Sequence, residues 1–107
     1  MSCSVVFTKA AEAEFEKLPE DLQGRLLSIG SRLSTEGPSV VGMPHVRPVG
    51  GKLWEMRLSG KRGIARALYF AASGRRLIVV RIFVKKTEKT PPQEIELARK
   101  RMEAIND

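Results

Sequence analysis

A single cysteine, Cys3, leaves no partner for an internal disulfide and suggests no cysteine-based zinc site. No apolar run approaches the roughly 20 residues that a membrane-spanning helix needs. The opening MSCSVVFTKAAEAEF lacks the basic-then-apolar layout of a signal peptide. These absences lead us to expect a cytoplasmic protein with no membrane partner, no metal and no cofactor. Acids are scarce where bases are dense: residues 47–86 hold eleven Lys/Arg and one acid, Glu55. Internal repeats and low-complexity tracts are absent as well.

What is present fits one ordinary globular domain spanning 1–107. The 107 residues are 42% hydrophobic and 29% charged, enough for one modest core. The net charge of +7 comes wholly from the basic stretch, since the chain on either side of it is slightly acidic. Solubility alone does not require this, so nucleic acid, the ribosome, an acidic protein and anionic lipid are the partner classes to weigh.

Cys3, Val5 and Phe7 alternate as in a short strand. Thr8 is placed to cap a helix running to about Leu18, with Ala11, Phe15 and Leu18 on one face. Leu18-Pro19 breaks it, and Pro19-Glu20-Asp21 starts a second helix whose stripe is Leu22, Leu26, Ile29 and Leu33. Gly37-Pro38 ends that helix, and the tight join predicts an antiparallel helical hairpin. Residues 37–51, rich in Gly and Pro, read as a loop. Three strands follow at about 52–59, 63–71 and 76–85, joined by short glycine turns into an antiparallel meander. Thr90-Pro91-Pro92-Gln93 carries a Thr-x-x-Gln capping box and a proline for the first helical position. Ile95, Ala98, Met102 and Ile105 line one face of that last helix. The expected fold is α+β in the order β-α-α-β-β-β-α, with helices on one sheet face and the other partly open.

Strand alternation sorts the side chains. Trp54, Met56 and Leu58 suit the core, as does the row Ile78, Val80, Ile82 and Val84. Glu55 and Arg57 point the other way. Arg66 joins Arg57 and Arg81 if the small Ala65 and Ala67 lie beneath the helices, with Lys85 or Lys86 near the rim. Three guanidiniums on neighbouring strands repel one another and would be drawn to a polyanion. The alternative is a set of separate, solvated arginines.

The segments KLWEMRLSGKRGIARALYF (52–70) and FVKKTEKTPPQEIELARKRM (83–102), with the Leu-Pro break between two helices, resemble the RelE/ParE superfamily of toxins, specifically its phage-derived, HigB-like branch. That resemblance implies the RelE-like fold and the toxin of a type II toxin–antitoxin pair. It further implies an endoribonuclease that enters the ribosomal A site, against rRNA, and cuts the translated mRNA without a metal. In that reaction a ribose 2′-OH attacks the adjacent phosphate, which calls for a base, an acid and charge stabilisation. Arg57 and Arg66 match the family's positions for phosphate and transition-state contacts. Lys85 and Lys86 match its basic residues after the last strand, and Arg81 sits where a functional basic side chain often lies. A small helix-turn-helix antitoxin, bound in a hetero-oligomeric complex, is the implied partner.

Arg66 is the first choice for the transition state because its planar fork engages two phosphate oxygens, with a salt bridge to Glu55 as the structural alternative. Lys85 and Lys86 have opposite parity, so only one can face the site. Lys52, Lys61, Arg62, Arg75 and Arg76 are expected to steer or dock RNA, and Phe83 to stack on a base. His45 is the one imidazole and the tempting base, but its loop position favours an anchoring role. Glu55 reads as orienting Arg57 rather than as a base. Tyr69 and Trp54 read as core. Two other readings stand beside the nuclease: a ParE-like toxin that inhibits DNA gyrase without chemistry, and an inactive relative that binds RNA or antitoxin.

Overall fold

The computed structural model describes residues 4–36, 45–61, 63–85 and 89–105. Cys3, Gly37-Pro38, Arg62 and Lys86 lie outside them. The described elements are β1 (Ser4–Phe7), α1 (Lys9–Glu16), α2 (Glu20–Glu36), β2 (Val46–Gly50), β3 (Leu53–Gly60), β4 (Gly63–Ala72), β5 (Arg76–Lys85) and α3 (Pro92–Glu103). The sheet order is β1-β5-β4-β3-β2, with β1 parallel to β5 and every other pair antiparallel. No described helix is long and apolar enough to cross a membrane.

One element departs from expectation. Residues 46–50 form a strand inside the stretch read as loop, pairing Val46 with Met56, Arg47 with Glu55 and Pro48 with Trp54. A proline cannot donate to a ladder, so the sequence argues against a strand there. At the sheet edge that missing donor is tolerated.

The first sheet face is covered by α1 and α2. Thr8 caps α1 as expected, its hydroxyl accepting from Ala11 N at 3.1 Å. Both Leu22 N and Gln23 N donate to Pro19 O, so the proline starts α2. Leu22, Leu26, Ile29 and Leu33 are buried against Met56, Leu58, Ala65, Ala67 and Tyr69, with Trp54 packed at the margin. Each fully buried leucine contributes about 2 kcal/mol. Asp21 fixes this layer to the β3–β4 turn, accepting from Lys61 N at 2.7 Å. A Cβ on Gly60 would sit 2.3 Å from Asp21 Oδ2, so glycine is required for that approach.

The second face is only partly open. Helix α3 crosses it and buries Ala98, with Ile95, Met102 and Ile105 packed against Leu53, Leu68, Phe70, Ile78, Val80 and Phe83. This corrects the expectation that all helices share one face. It also splits the apolar row assigned to β5. Leu68 pairs with Arg81 while Tyr69 pairs with Val79, so Val80 is an extra residue, a bulge that reverses the alternation. Leu77, Val79 and Ile82 therefore face the helical hairpin, whereas Ile78, Val80 and Phe83 face α3.

The bulge lies where β1 ends, leaving the outer edge of β5 without a strand partner. Ile82 N donates to Glu14 Oε1 at 3.0 Å, and Val80 O accepts from Arg101 at 2.9 Å. Glu14 also pairs with Arg81 and Arg101, and Arg81 pairs with Glu94 at 2.7 Å. Residues from α1, β5 and α3 thus clasp the open edge, satisfying groups that would otherwise invite another strand.

Candidate functional site

The α3 face has two halves. Toward the β4–β5 turn it is apolar and covered by α3. Toward the β3–β4 turn it is charged. Register sets the charged half out in rows. His45 O accepts from Arg57 N at 2.7 Å, Arg57 stands opposite Arg66, and Arg66 opposite Phe83. The next row toward α3 runs Arg47, Glu55, Leu68, Arg81. On the other side Lys85 pairs with Ile64. The β-sheet thus brings His45, Arg57, Arg66 and Lys85 to one end of one face.

Glu55 is the centre of this half. It is 1% exposed, yet its oxygens are fully engaged. Thr90 Oγ1 donates to Oε1 at 2.5 Å, while Arg47 Nε lies 3.0 Å and Arg66 Nε 3.5 Å from Oε2. Both arginine Nε atoms sit at ion-pair distance without an aligned hydrogen bond, so those two contacts are coulombic. Arg66 also donates to Ala65 O at 3.1 Å. A buried carboxylate requires such company, because an unpaired charge in the interior is costly.

The Thr90 contact revises the start of α3. Pro91 is the N-cap and Pro92 the first helical residue, and no side chain caps the helix. The Thr-x-x-Gln box does not form, because the Thr90 hydroxyl is committed to the Glu55 carboxylate. An ionised acceptor outcompetes a backbone amide that water can reach.

Exposure separates the basic residues. Arg66 is 2% and Lys85 6% exposed, whereas Arg57 and His45 are half-buried. Arg57 and His45 thus form the mouth, and Arg66 lies behind them. Phe83 is 8% exposed with its ring 5.6 Å from the Arg81 guanidinium carbon. Its surface is covered, so the expected base-stacking platform is not presented. Arg81 is in the edge clasp, where hydrogen bonding to Glu94, followed by Glu14, holds its pKa above the ordinary value. Its charge is met there by two carboxylates rather than offered beside Arg57.

The docking residues divide between the sheet ends. Lys61 is exposed at the β3–β4 turn, on the site's end, while Lys52, Arg75 and Arg76 lie at the far end. Arg75 adopts a positive φ of 57°, and Arg76 Nε donates to Ser73 O at 2.9 Å. Tyr69 faces the hairpin, where burial raises its pKa and its hydroxyl finds no partner among the described residues. Two participants escaped the sequence reading. Arg47 was hidden by the loop reading of β2, and Thr90 by its apparent capping role. Arg47 and Thr90 also line a groove of about 470 Å³ between β2 and α3, with Lys89 and Arg99 on its walls.

Chemically, the charged half can attract and hold an anion. Arg57 stands half-buried at the mouth, Arg66 and Lys85 add buried positive charge beneath it, and Glu55, the one carboxylate of this half among the described residues, is met by its neighbours. His45 is at the end of the same row and brings an imidazole, a group that can give or take a proton.

Comparisons with known proteins agree with this architecture. The family model of phage-derived, Gp49-like proteins matches residues 13–103. The toxin–antitoxin complex RelBE2 from Mycobacterium tuberculosis contains a chain similar in structure, with a TM-score of 0.57 and 19% identity, covering 79% of this chain and 100% of that one. The archaeal RelE–RelB complex from Pyrococcus horikoshii gives a TM-score of 0.55 at 19% identity, over 78% and 96% of the two chains. At that identity the likeness is one of fold. No curated protein sequence gives a significant match.

Proposed function

The chain belongs to the phage-derived, Gp49-like family, and from that premise we propose that it is the toxin of a toxin–antitoxin pair and cuts mRNA on the ribosome. The observation that carries this reading is the row His45–Arg57–Arg66, with Lys85 beside it, on one end of one sheet face. The RelE-like fold supports it, since the similar structures are toxin–antitoxin complexes. Mature function in the cytoplasm and a cognate antitoxin over the basic face follow from the same reading.

The reaction forms a bond from the ribose 2′-oxygen to phosphorus and breaks the bond from phosphorus to the 5′-oxygen. A 2′,3′-cyclic phosphate and a 5′-hydroxyl result, the departing 5′-oxygen taking its proton from water. Arg57 holds the phosphate, and Arg66 and Lys85 stabilise the charge that grows on its oxygens. His45 accepts the 2′-OH proton, its imidazole being the base that this row supplies. Glu55, already bound by Thr90, Arg47 and Arg66, orients the arginines instead of acting as base. Arg81 belongs to the clasp that supports the site's edge.

Inducing the wild-type chain should arrest growth with cleaved mRNA. Arg57→Ala and Arg66→Ala should relieve both. Arrest that persists in these variants with intact mRNA rejects the nuclease reading, and accumulated DNA breaks would point to gyrase.

A further inference from the structure

We propose that Thr90 is a positioning residue for the arginines of this site, acting through Glu55. The inference rests on the proposed nuclease function and adds a residue that lies outside the basic face. Thr90 is 5% exposed and precedes α3, yet it makes no capping bond, so its burial serves no evident purpose in starting the helix. Its hydroxyl instead fixes Glu55 Oε1 at 2.5 Å, which leaves Oε2 turned toward Arg47 and Arg66. Those two contacts lack aligned hydrogen bonds, so coulombic attraction alone does not set the carboxylate's rotation. The bond from Thr90 is directional and holds the oxygen that the two Nε atoms do not approach. It therefore selects which oxygen faces the arginines and where their charge lies beneath Arg57.

A second feature makes the hydroxyl consequential. Glu55 stands opposite Arg47 on β2 and next to the Arg57–Arg66 row, so one carboxylate links Arg47 in its own row to Arg66 in the neighbouring one. Rotating it would shift the buried charge under the mouth while leaving the apolar packing of α3 on Leu68, Phe70 and Val80 in place. The expected signature is a loss in turnover rather than in substrate capture, since misplaced charge is felt chiefly when charge develops on the phosphate.

The test compares wild type, Thr90→Val and Thr90→Ser in single-turnover cleavage of a defined mRNA on translating ribosomes, with folding checked by circular dichroism. Beside it, the Arg66 Nε–H resonance is followed by NMR in each protein. Thr90→Val should lower kcat about tenfold with KM little changed, Thr90→Ser should restore it, and the Arg66 resonance should broaden or shift only in the valine variant. Wild-type turnover in Thr90→Val, or an unchanged Arg66 resonance, overturns the proposal. If wild type itself does not cut RNA, the nuclease reading fails, and the Arg66 resonance alone then decides whether Thr90 positions the arginine. Should Thr90→Val not fold, Thr90→Ala with the same two readouts takes its place, with the same outcomes.

Discussion

The two faces of the sheet share their strands but not their composition. Under the helical hairpin, Met56, Leu58, Ala65, Ala67 and Tyr69 alternate without an ionised group, and α1 and α2 cover them. Under α3 the same strands offer Leu53, Leu68 and Phe70 at one end, then Glu55, Arg57 and Arg66 at the other. The first face needs nothing beyond burial. The second keeps a carboxylate and two arginines where apolar residues of similar volume would often hold the fold as well or better. The difference marks the charged half as the part of the fold that burial of apolar surface does not account for.

That contrast can be broken in order of effect. Leu26→Ala, on the hairpin face, should cost about 2–5 kcal/mol in chemical denaturation while leaving the turnover of the folded fraction unchanged. A parallel loss of turnover would mean that the faces are not separable. Arg57→Ala should do the reverse, lowering cleavage about a hundredfold with a small change in denaturation midpoint. Glu14→Gln removes the charge that holds Arg81, Arg101 and Ile82 N, and about 1.5–3 kcal/mol of stability should go with it. Turnover measured on the folded protein should then stay near wild type. Were it to fall as far as in Arg57→Ala, Arg81 would belong to the site after all.

The smallest effect concerns Tyr69. Burial raises its folded pKa above the ordinary value of 10.0, so the phenol stays neutral in the fold while the unfolded chain ionises. Stability from this residue is complete below pH 10 and is lost as pH rises from there toward the folded pKa. Tyr69→Phe should flatten that alkaline decline and cost little at neutral pH, because the hydroxyl has no partner among the described residues. Thermal melts of both proteins at pH 8 and pH 10.5 check it.

Much of the fold was legible because periodicity carries it. The Leu22-to-Leu33 stripe, the Thr8 cap and the three strands are written in spacing, and alternation puts Arg57 and Arg66 on one face once the small Ala65 and Ala67 are set beneath the helices. What escaped has physical causes. In β5 every residue from Leu77 to Val80 is apolar, so the bulge at Val80 leaves no mark on the pattern. The stripe of α3 says that it packs, but not on which face. Pro48 and Gly50 give β2 the chemistry of a loop, and pairing to β3 at the sheet edge overrides it. That error hid Arg47, and with it the placement of His45 beside Arg57. Thr90 was misread for the opposite reason: its local motif was a good one, and a buried carboxylate 35 residues away in sequence supplied a stronger acceptor.

The central claim is that the His45–Arg57–Arg66 row cuts RNA, and cleavage of a defined mRNA with and without translating ribosomes tests it most directly. The wild-type protein should cut only in the presence of ribosomes and leave 2′,3′-cyclic phosphate ends, with Arg57→Ala and Arg66→Ala both strongly impaired. Intact mRNA under both conditions, or equal cutting by wild type and the two variants, would contradict it.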